Sequence, residues 1–219
     1  MKLPMNANQI AEALKVEDFL RGLVAQSGGF PEIVVIGGYA VRAYGAMRFS
    51  HDGDIMVNMN AFSALRDQYN VTKTPRLGKA QFTTAFLVEI DVYVEQQHKL
   101  RIPFDEVQAY AVKKSEIWVA CIEHLIVLKL DALKNRRNTD KGVKDIEDIL
   151  LLLSRNKIEH PDLLRKHLFP EDWELLEDIV GTAGNWQAFT EIDYRAAGLL
   201  QKQTEAVLRA IKSPKMEIQ

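Results

Sequence analysis

Two carboxylates lie close together in the sequence at the expected start of a strand. Asp52 and Asp54 are separated only by Gly53. Residues two apart in a strand project to the same face, so both carboxylates should point together. Carboxylate oxygens placed in this way could hold a hard divalent cation. The pair therefore indicates a candidate metal site.

A pair of glycines precedes these acids. Gly37 and Gly38 follow the apolar run Ile33–Ile36, and the pattern predicts a short buried strand, a glycine turn and a short helix. Backbone amides at the N-terminus of a helix favour a phosphate group. The alternative is a tight strand-to-helix turn with no ligand. A metal site beside a phosphate site would suit nucleotidyl or phosphoryl transfer.

The order of these motifs resembles the signature of the polymerase-beta-like nucleotidyltransferase superfamily. The form seen here is most similar to the minimal bacterial and archaeal members, which include the AbiEii-type toxins of toxin–antitoxin systems. That group usually has threonine where Ser50 stands and an aliphatic residue where Gly53 stands. The residues that carry the resemblance are Gly37, Gly38, Arg48, Ser50, Asp52 and Asp54.

The resemblance implies a third carboxylate on a later strand. Asp91 lies in an apolar stretch that spans residues 86–94, where a charge is expensive unless it is paired or bound to a metal. Asp91 is therefore predicted as the third metal ligand. Glu89 would share its face and is the weaker candidate.

A second group of residues resembles the helical motif of the AbiEii-like group. Lys129 lies within an apolar helical stripe, and Arg136 would share its face if the helix continued. Asp145 and Asp148 are three residues apart on the next predicted helix, and pairing with them could orient Lys129. Alternatively, Lys129 could extend to water from a packed helix, and the other three residues could belong to ordinary solvated helix ends.

The resemblance also implies a mechanism and a set of partners. The chain is expected to bind a nucleoside triphosphate such as ATP and to transfer its nucleotide to an acceptor hydroxyl. Two Mg²⁺ ions, or Mn²⁺ in their place, would be held by Asp52, Asp54 and Asp91, and Lys129 would complete the catalytic set. The predicted nucleotide-binding residues are Gly37, Gly38, Arg48, Ser50, Lys129, Arg136, Asp145 and Asp148.

The resemblance leaves the acceptor open. A toxin would act on tRNA or on a protein, and its partner would be a cognate antitoxin. An enzyme of the antibiotic-modifying kind would use a small molecule instead. A catalytically silent nucleotide-binding or interaction module with the same fold is a further alternative, although the three intact aspartates favour an active transferase.

The composition is that of an ordinary globular protein. The chain has 219 residues, of which 47% are hydrophobic and 26% are charged, and its formal net charge is −2. A charge this small excludes a global field that would draw the chain to nucleic acid or to a membrane. The single cysteine, Cys121, fits a reducing compartment. With no apparent signal peptide or membrane span, the expected location is the cytoplasm, without a membrane partner.

The hydrophobic pattern changes character near residue 115. Before it, short strand-like runs alternate with helices, and a further strand is expected after Pro103. From Ile117 onward, apolar residues recur at helical spacing. These patterns predict an α+β chain with a mixed region over residues 1–115 and a helical C-terminal region over residues 116–219 packed on it. The resemblance implies that the first region is a nucleotidyltransferase core with a small mixed β-sheet flanked by helices.

Overall fold

The computed structural model describes residues 7–26, 31–46, 52–74, 78–85, 87–190 and 194–213. The chain divides into two compact units, Met1–Cys121 and Ile122–Gln219. Below, they are called the sheet unit and the helical unit.

In the described part of the sheet unit, the strands form one mixed sheet, and four helices accompany it. In chain order the helices are α1 (Ala7–Gln26), α2 (Gly37–Ala43), α3 (Met59–Gln68) and α4 (Phe104–Ala109). The strands are β1 (Ile33–Ile36), β2 (Asp52–Val57), β3 (Thr72–Thr74), β4 (Lys79–Thr83), β5 (Glu89–Val94), β6 (Val112–Lys114) and β7 (Ile117–Val119). They lie in the order β3-β4-β5-β2-β1-β7-β6. The predicted α+β class with a mixed sheet is thus confirmed.

Strands β2 and β5 lie side by side and parallel at the centre of this sheet. Alternate residues on both strands, including Ile55, Ile90 and Val92, are fully buried. Helix α1 packs over this apolar face, where Val16 and Leu20 are also buried. Because successive side chains of a strand point to opposite faces, the residues between these, which include the acids, project to the other face of the sheet.

Two elements of the sheet unit differ from the sequence prediction. Pro103 is followed by helix α4 rather than by a strand, and the Pro103 carbonyl accepts a hydrogen bond from the Val107 amide at 3.1 Å. Proline is well suited to the start of a helix because its fixed φ and missing N–H cost nothing there. Residues Ile117–Val119 form strand β7 rather than the beginning of a helix, and Val119 pairs in parallel with Val35 of β1. That long-range pairing outweighs the helical pattern that begins at Ile122.

The helical unit consists of six helices within the described residues. They are α5 (Ile122–Lys134), α6 (Asp140–Arg155), α7 (Pro161–His167), α8 (Pro170–Gly181), α9 (Ala183–Thr190) and α10 (Tyr194–Lys212). Its core is built largely from leucine and isoleucine side chains of α5 and α6. Within the ranges listed above, no helix combines the length and the apolar character needed to cross a membrane.

Candidate active site

The turn after β1 is built around Gly37. Its φ of +66° lies in the left-handed region, which glycine adopts without a steric penalty. A Cβ atom at this position would lie 2.8 Å from Cγ of Asp54 and 3.0 Å from its Cβ, and closer still to Oδ2. Glycine is therefore required twice, by the backbone conformation and by the carboxylate packed against it. Gly38, the second residue of α2, is half-buried.

The register of the central strands brings the predicted metal ligands together. Asp54 of β2 is the direct partner of Asp91 on β5, and Asp52 is the partner of Glu89. Neighbouring strands lie about 4.8 Å apart, so paired residues are neighbours on the same face. Asp52, Asp54 and Asp91 are all half-buried, whereas Glu89 is exposed. Three carboxylates therefore share one patch of the sheet, which is called the acid face below.

Gly53 has a structural explanation that does not involve the acid face. Its Cα points to the opposite side of the sheet, where an added Cβ would lie 2.7 Å from Cδ1 of Ile90. The side chains of Leu20 and Val16 lie 3.8 Å from the same point. Ile90 thus fills the space that an aliphatic residue would occupy at this position. The unusual glycine leaves the placement of Asp52 and Asp54 intact.

Asp91 has an asymmetric environment. Its Oδ2 accepts a hydrogen bond and ion pair from Nζ of Lys79 on the adjacent strand β4. Its Oδ1 is buried and accepts no hydrogen bond from any residue that the structure describes. A buried carboxylate oxygen without a partner is costly, and a bound cation would remove that cost.

A buried tyrosine lies near Asp52 of the acid face. Tyr39 of α2 is only 2% exposed. Burial is the main reason that the pKa of its phenol lies far above the usual value. The Arg42 charge lowers this pKa, and the charges of Glu17 and Asp52 raise it. The Tyr39 hydroxyl therefore stays protonated beside Asp52 throughout the physiological range.

The residues of the acid face fit a magnesium site. Mg²⁺ prefers oxygen ligands, and carboxylates are its usual protein ligands. Asp52, Asp54 and Asp91 supply such oxygens from two adjacent strands. The Oδ1 atom of Asp91 specifically supports a cation at this site, because it is buried and lacks a hydrogen-bond donor among the described residues.

The helical unit contains a separate charged cluster around Lys129. Its Nζ lies 3.0 Å from Oδ1 of Asp145 and 2.8 Å from Oδ2 of Asp148, both on α6. The two carboxylates are each 1% exposed. Burial acts to lower the pKa of Lys129, but the charges and hydrogen bonds of Asp148 and Asp145 outweigh it and place the pKa above the usual lysine value. The expected pairing between these two helices is therefore present.

Arg136 joins the same cluster from a different position than predicted. Helix α5 ends at Lys134, so Arg136 lies in the following loop rather than on a continuing helix. Its Nε still donates to Oδ2 of Asp145 at 2.7 Å. The loop folds back because the Thr139 side chain caps α6, accepting from the Gly142 amide at 3.1 Å. Lys129, Arg136, Asp145 and Asp148 thus form one ion-pair network.

Gly142 makes this folded-back loop feasible. A Cβ atom there would lie 2.7 Å from the Arg137 carbonyl oxygen, and closer still to that of Arg136. The sequence patterns indicated neither Gly142 nor Lys79. No local pattern marks either residue as important. Arg48 and Ser50, predicted to bind the nucleotide, lie outside the described residues.

Comparisons with known proteins bear on the fold. No protein-family model matches the chain, and no curated protein matches its sequence. Among solved structures, JHP933 from Helicobacter pylori superposes with a TM-score of 0.54 at 14% identity, over 94% of each chain. A protein from H. pylori provisionally assigned as a nucleotidyltransferase gives a TM-score of 0.50 at 13% identity, over 96% of this chain and 100% of the other.

A third similar structure is the antibiotic-resistance factor ANT(2'')-Ia. Its TM-score is 0.52 at 16% identity, over 80% of this chain and 97% of the other. At these identities the likeness concerns the architecture. The chain has the nucleotidyltransferase fold.

Proposed function

We propose that this chain is a magnesium-dependent nucleotidyltransferase that moves a nucleoside monophosphate from a nucleoside triphosphate to an acceptor hydroxyl. The observation that carries the proposal is the acid face, where Asp54 and Asp91 are paired in register and Asp52 lies two residues from Asp54. The fold supports the same class of reaction.

Each part of the acid face has a role in this proposal. Asp52, Asp54 and Asp91 would hold the metal. A magnesium ion held there would supply Lewis-acid chemistry, which would lower the pKa of an attacking hydroxyl and offset charge on a leaving pyrophosphate. Gly37 keeps the Asp54 carboxylate in place because it has no side chain to displace it. Positioning and electrostatics would supply most of the rate.

The remaining predicted nucleotide contacts stay part of the proposal. Gly37 and Gly38 would contact phosphate through their backbone amides, as would Arg48 and Ser50 through their side chains. Lys129 would offset charge on the triphosphate, and its ion pairs with Asp145 and Asp148 hold its ammonium in one position. The role of Lys129 toward the triphosphate rests on the sequence resemblance, because both aspartates already offset the charge of its ammonium.

The proposal also concerns the identity of the acceptor. The sequence resemblance favours an AbiEii-type toxin that acts on tRNA or on a protein, with a cognate antitoxin as its partner. The structural likeness to ANT(2'')-Ia, an antibiotic-resistance factor, supports a second candidate with a small-molecule acceptor. Both candidates use the same acid face.

The test is a label-transfer assay. The purified protein is incubated with Mg²⁺ and each nucleoside triphosphate labelled at the alpha phosphate, together with total cellular RNA and protein. We expect label in one macromolecular fraction with the wild type and none with Asp54→Asn. The matched control is Asp67→Asn, which makes the same change at an exposed site on α3 and should leave transfer unchanged.

The assay also separates the alternatives. Magnesium-dependent nucleotide binding without macromolecular labelling would move the assignment to a small-molecule acceptor, which is then tested with aminoglycosides. Binding without transfer to any acceptor would favour the catalytically silent module. Transfer that survives Asp54→Asn would refute the proposed active site.

A further inference from the structure

We propose that Lys79 is a positioning residue that fixes which oxygen of Asp91 is presented to the metal. This inference rests on the proposed metal-dependent function and extends it to a residue outside the three-aspartate set. Its basis is the contrast between the two oxygens of one carboxylate.

The register of β4 on β5 places Lys79 on the acid face. Gln81 is the direct partner of Asp91, and Lys79 lies two residues before Gln81, so both project to the same side. The Lys79 and Asp91 side chains are 19% and 13% exposed. A lysine and an aspartate this poorly exposed form a pair that water screens only in part.

The pair involves one oxygen only. Nζ of Lys79 contacts Oδ2 of Asp91, whereas Oδ1 is buried and receives no hydrogen bond from the described part of the chain. Holding Oδ2 fixes the rotation of the carboxylate. Oδ1 is then the atom left for a cation. Carboxylates that bind metals are commonly oriented by a hydrogen bond from a neighbouring residue in this manner.

Lys79 also offsets charge on the acid face. Asp54 and Asp91 are directly paired on adjacent strands, and like charges in that position repel each other. Without the ammonium, Asp91 would turn away from Asp54 and the metal ligands would separate. The lysine thereby keeps the ligands assembled before the metal binds.

The test measures metal affinity rather than activity. Binding of Mn²⁺ to the full chain, without nucleotide, is followed by the loss of the EPR signal of the aqueous ion. We expect Lys79→Met to weaken Mn²⁺ binding by roughly 10–100-fold, the usual range for losing a residue that orients a ligand. Lys79→Arg retains a donor to Oδ2 and should bind Mn²⁺ nearly as tightly as the wild type. Lys113→Met, an exposed lysine on β6, should have no effect.

The possible results are distinguishable. The role of Lys79 would be overturned if Lys79→Met bound Mn²⁺ as tightly as the wild type, or more tightly. If Asp54→Asn abolished Mn²⁺ binding in the same experiment, the proposed function would remain intact. Tighter binding would show that Lys79 competes with the metal for Asp91. Absence of Mn²⁺ binding by the wild type would contradict the proposed function itself. If Lys79→Met fails to fold, Lys79→Leu, which also lacks a donor to Oδ2, takes its place. Weaker Mn²⁺ binding by Lys79→Leu than by Lys79→Arg supports the proposal, and equal binding by these two variants overturns it.

Discussion

Gly37→Ala should damage the metal site through a single added methyl group. The change forces alanine into a left-handed conformation at φ +66°. It also places a Cβ atom 2.8 Å from Cγ of Asp54, too close for the carboxylate to remain where it is. The Asp54 side chain, which is itself a predicted metal ligand, must therefore turn away from position 37.

The expected loss in the free energy of unfolding has two parts. The left-handed backbone costs about 1–2 kcal/mol for a residue with a side chain. Forcing the Asp54 side chain off its preferred rotamer adds about 0.5–1.5 kcal/mol. The free energy of unfolding should fall by roughly 2–3 kcal/mol in total. Metal affinity should fall by at least about 10-fold, because a displaced carboxylate no longer acts together with Asp91.

Gly45→Ala is the matched control for this prediction. Gly45 also has a positive φ, +104°, but a Cβ there would meet no atom within 4 Å. The control should lose stability, by about 1–3 kcal/mol, and keep the metal affinity of the wild type. Urea denaturation and Mn²⁺ titration measure the two quantities. Equal Mn²⁺ affinity for Gly37→Ala and Gly45→Ala would refute the claim that Gly37 exists to accommodate Asp54.

Three further predictions concern the helical unit. Asp145→Asn should lower the free energy of unfolding by about 3 kcal/mol, because it leaves Lys129 and Arg136 without one buried counter-charge; Asp178→Asn, which breaks an exposed pair, should cost under about 1 kcal/mol. Pairing raises the Lys129 pKa above the usual lysine value of 10.5. The contribution of the charged Lys129 to the free energy of unfolding is therefore fully present below pH 10.5 and is lost as the pH rises through the raised pKa. Denaturation curves of Lys129→Met should lack this loss, and an identical alkaline loss of stability in both proteins would contradict the assignment. Gly142→Ala should lower the melting temperature, because its Cβ would collide with the Arg136 carbonyl; an unchanged melting temperature would show that the loop can move at little cost.

The two neighbouring aspartates were predictable because their spacing depends only on strand geometry. Asp52 and Asp54 share a face in any strand. Asp91 required more, since its place beside Asp54 depends on the pairing of β2 with β5. The cost of a charge within an apolar run pointed to it before that pairing was known.

Lys79 and Gly142 were not predictable from local patterns. A lysine on a short strand is usually solvated, and only the register of β4 on β5 places it against Asp91. A glycine early in a helix is usually a weak point, and only the fold of the preceding loop gives it a function. The decisive contact of Lys79 joins two paired strands, and that of Gly142 depends on how the loop before α6 folds back onto the helix.

Arg136 reaches the Lys129 cluster without lying on the expected helix. The sequence pattern predicted that Lys129 and Arg136 would share a face if the helix continued, but α5 ends at Lys134. The ion pair of Arg136 with Asp145 was not predicted. The loop nevertheless returns Arg136 to Asp145, because the Thr139 cap and Gly142 set its path. A long flexible side chain can reach its partner from either backbone position.

The most direct test of nucleotidyl transfer compares the position of the label. The protein is incubated with Mg²⁺, the acceptor fraction and a nucleoside triphosphate labelled either at the alpha or at the gamma phosphate. We predict that the acceptor gains the alpha label and no gamma label, and that Asp54→Asn gains neither. Transfer of the gamma label alone would contradict the proposal, because it would show phosphoryl transfer from the same fold.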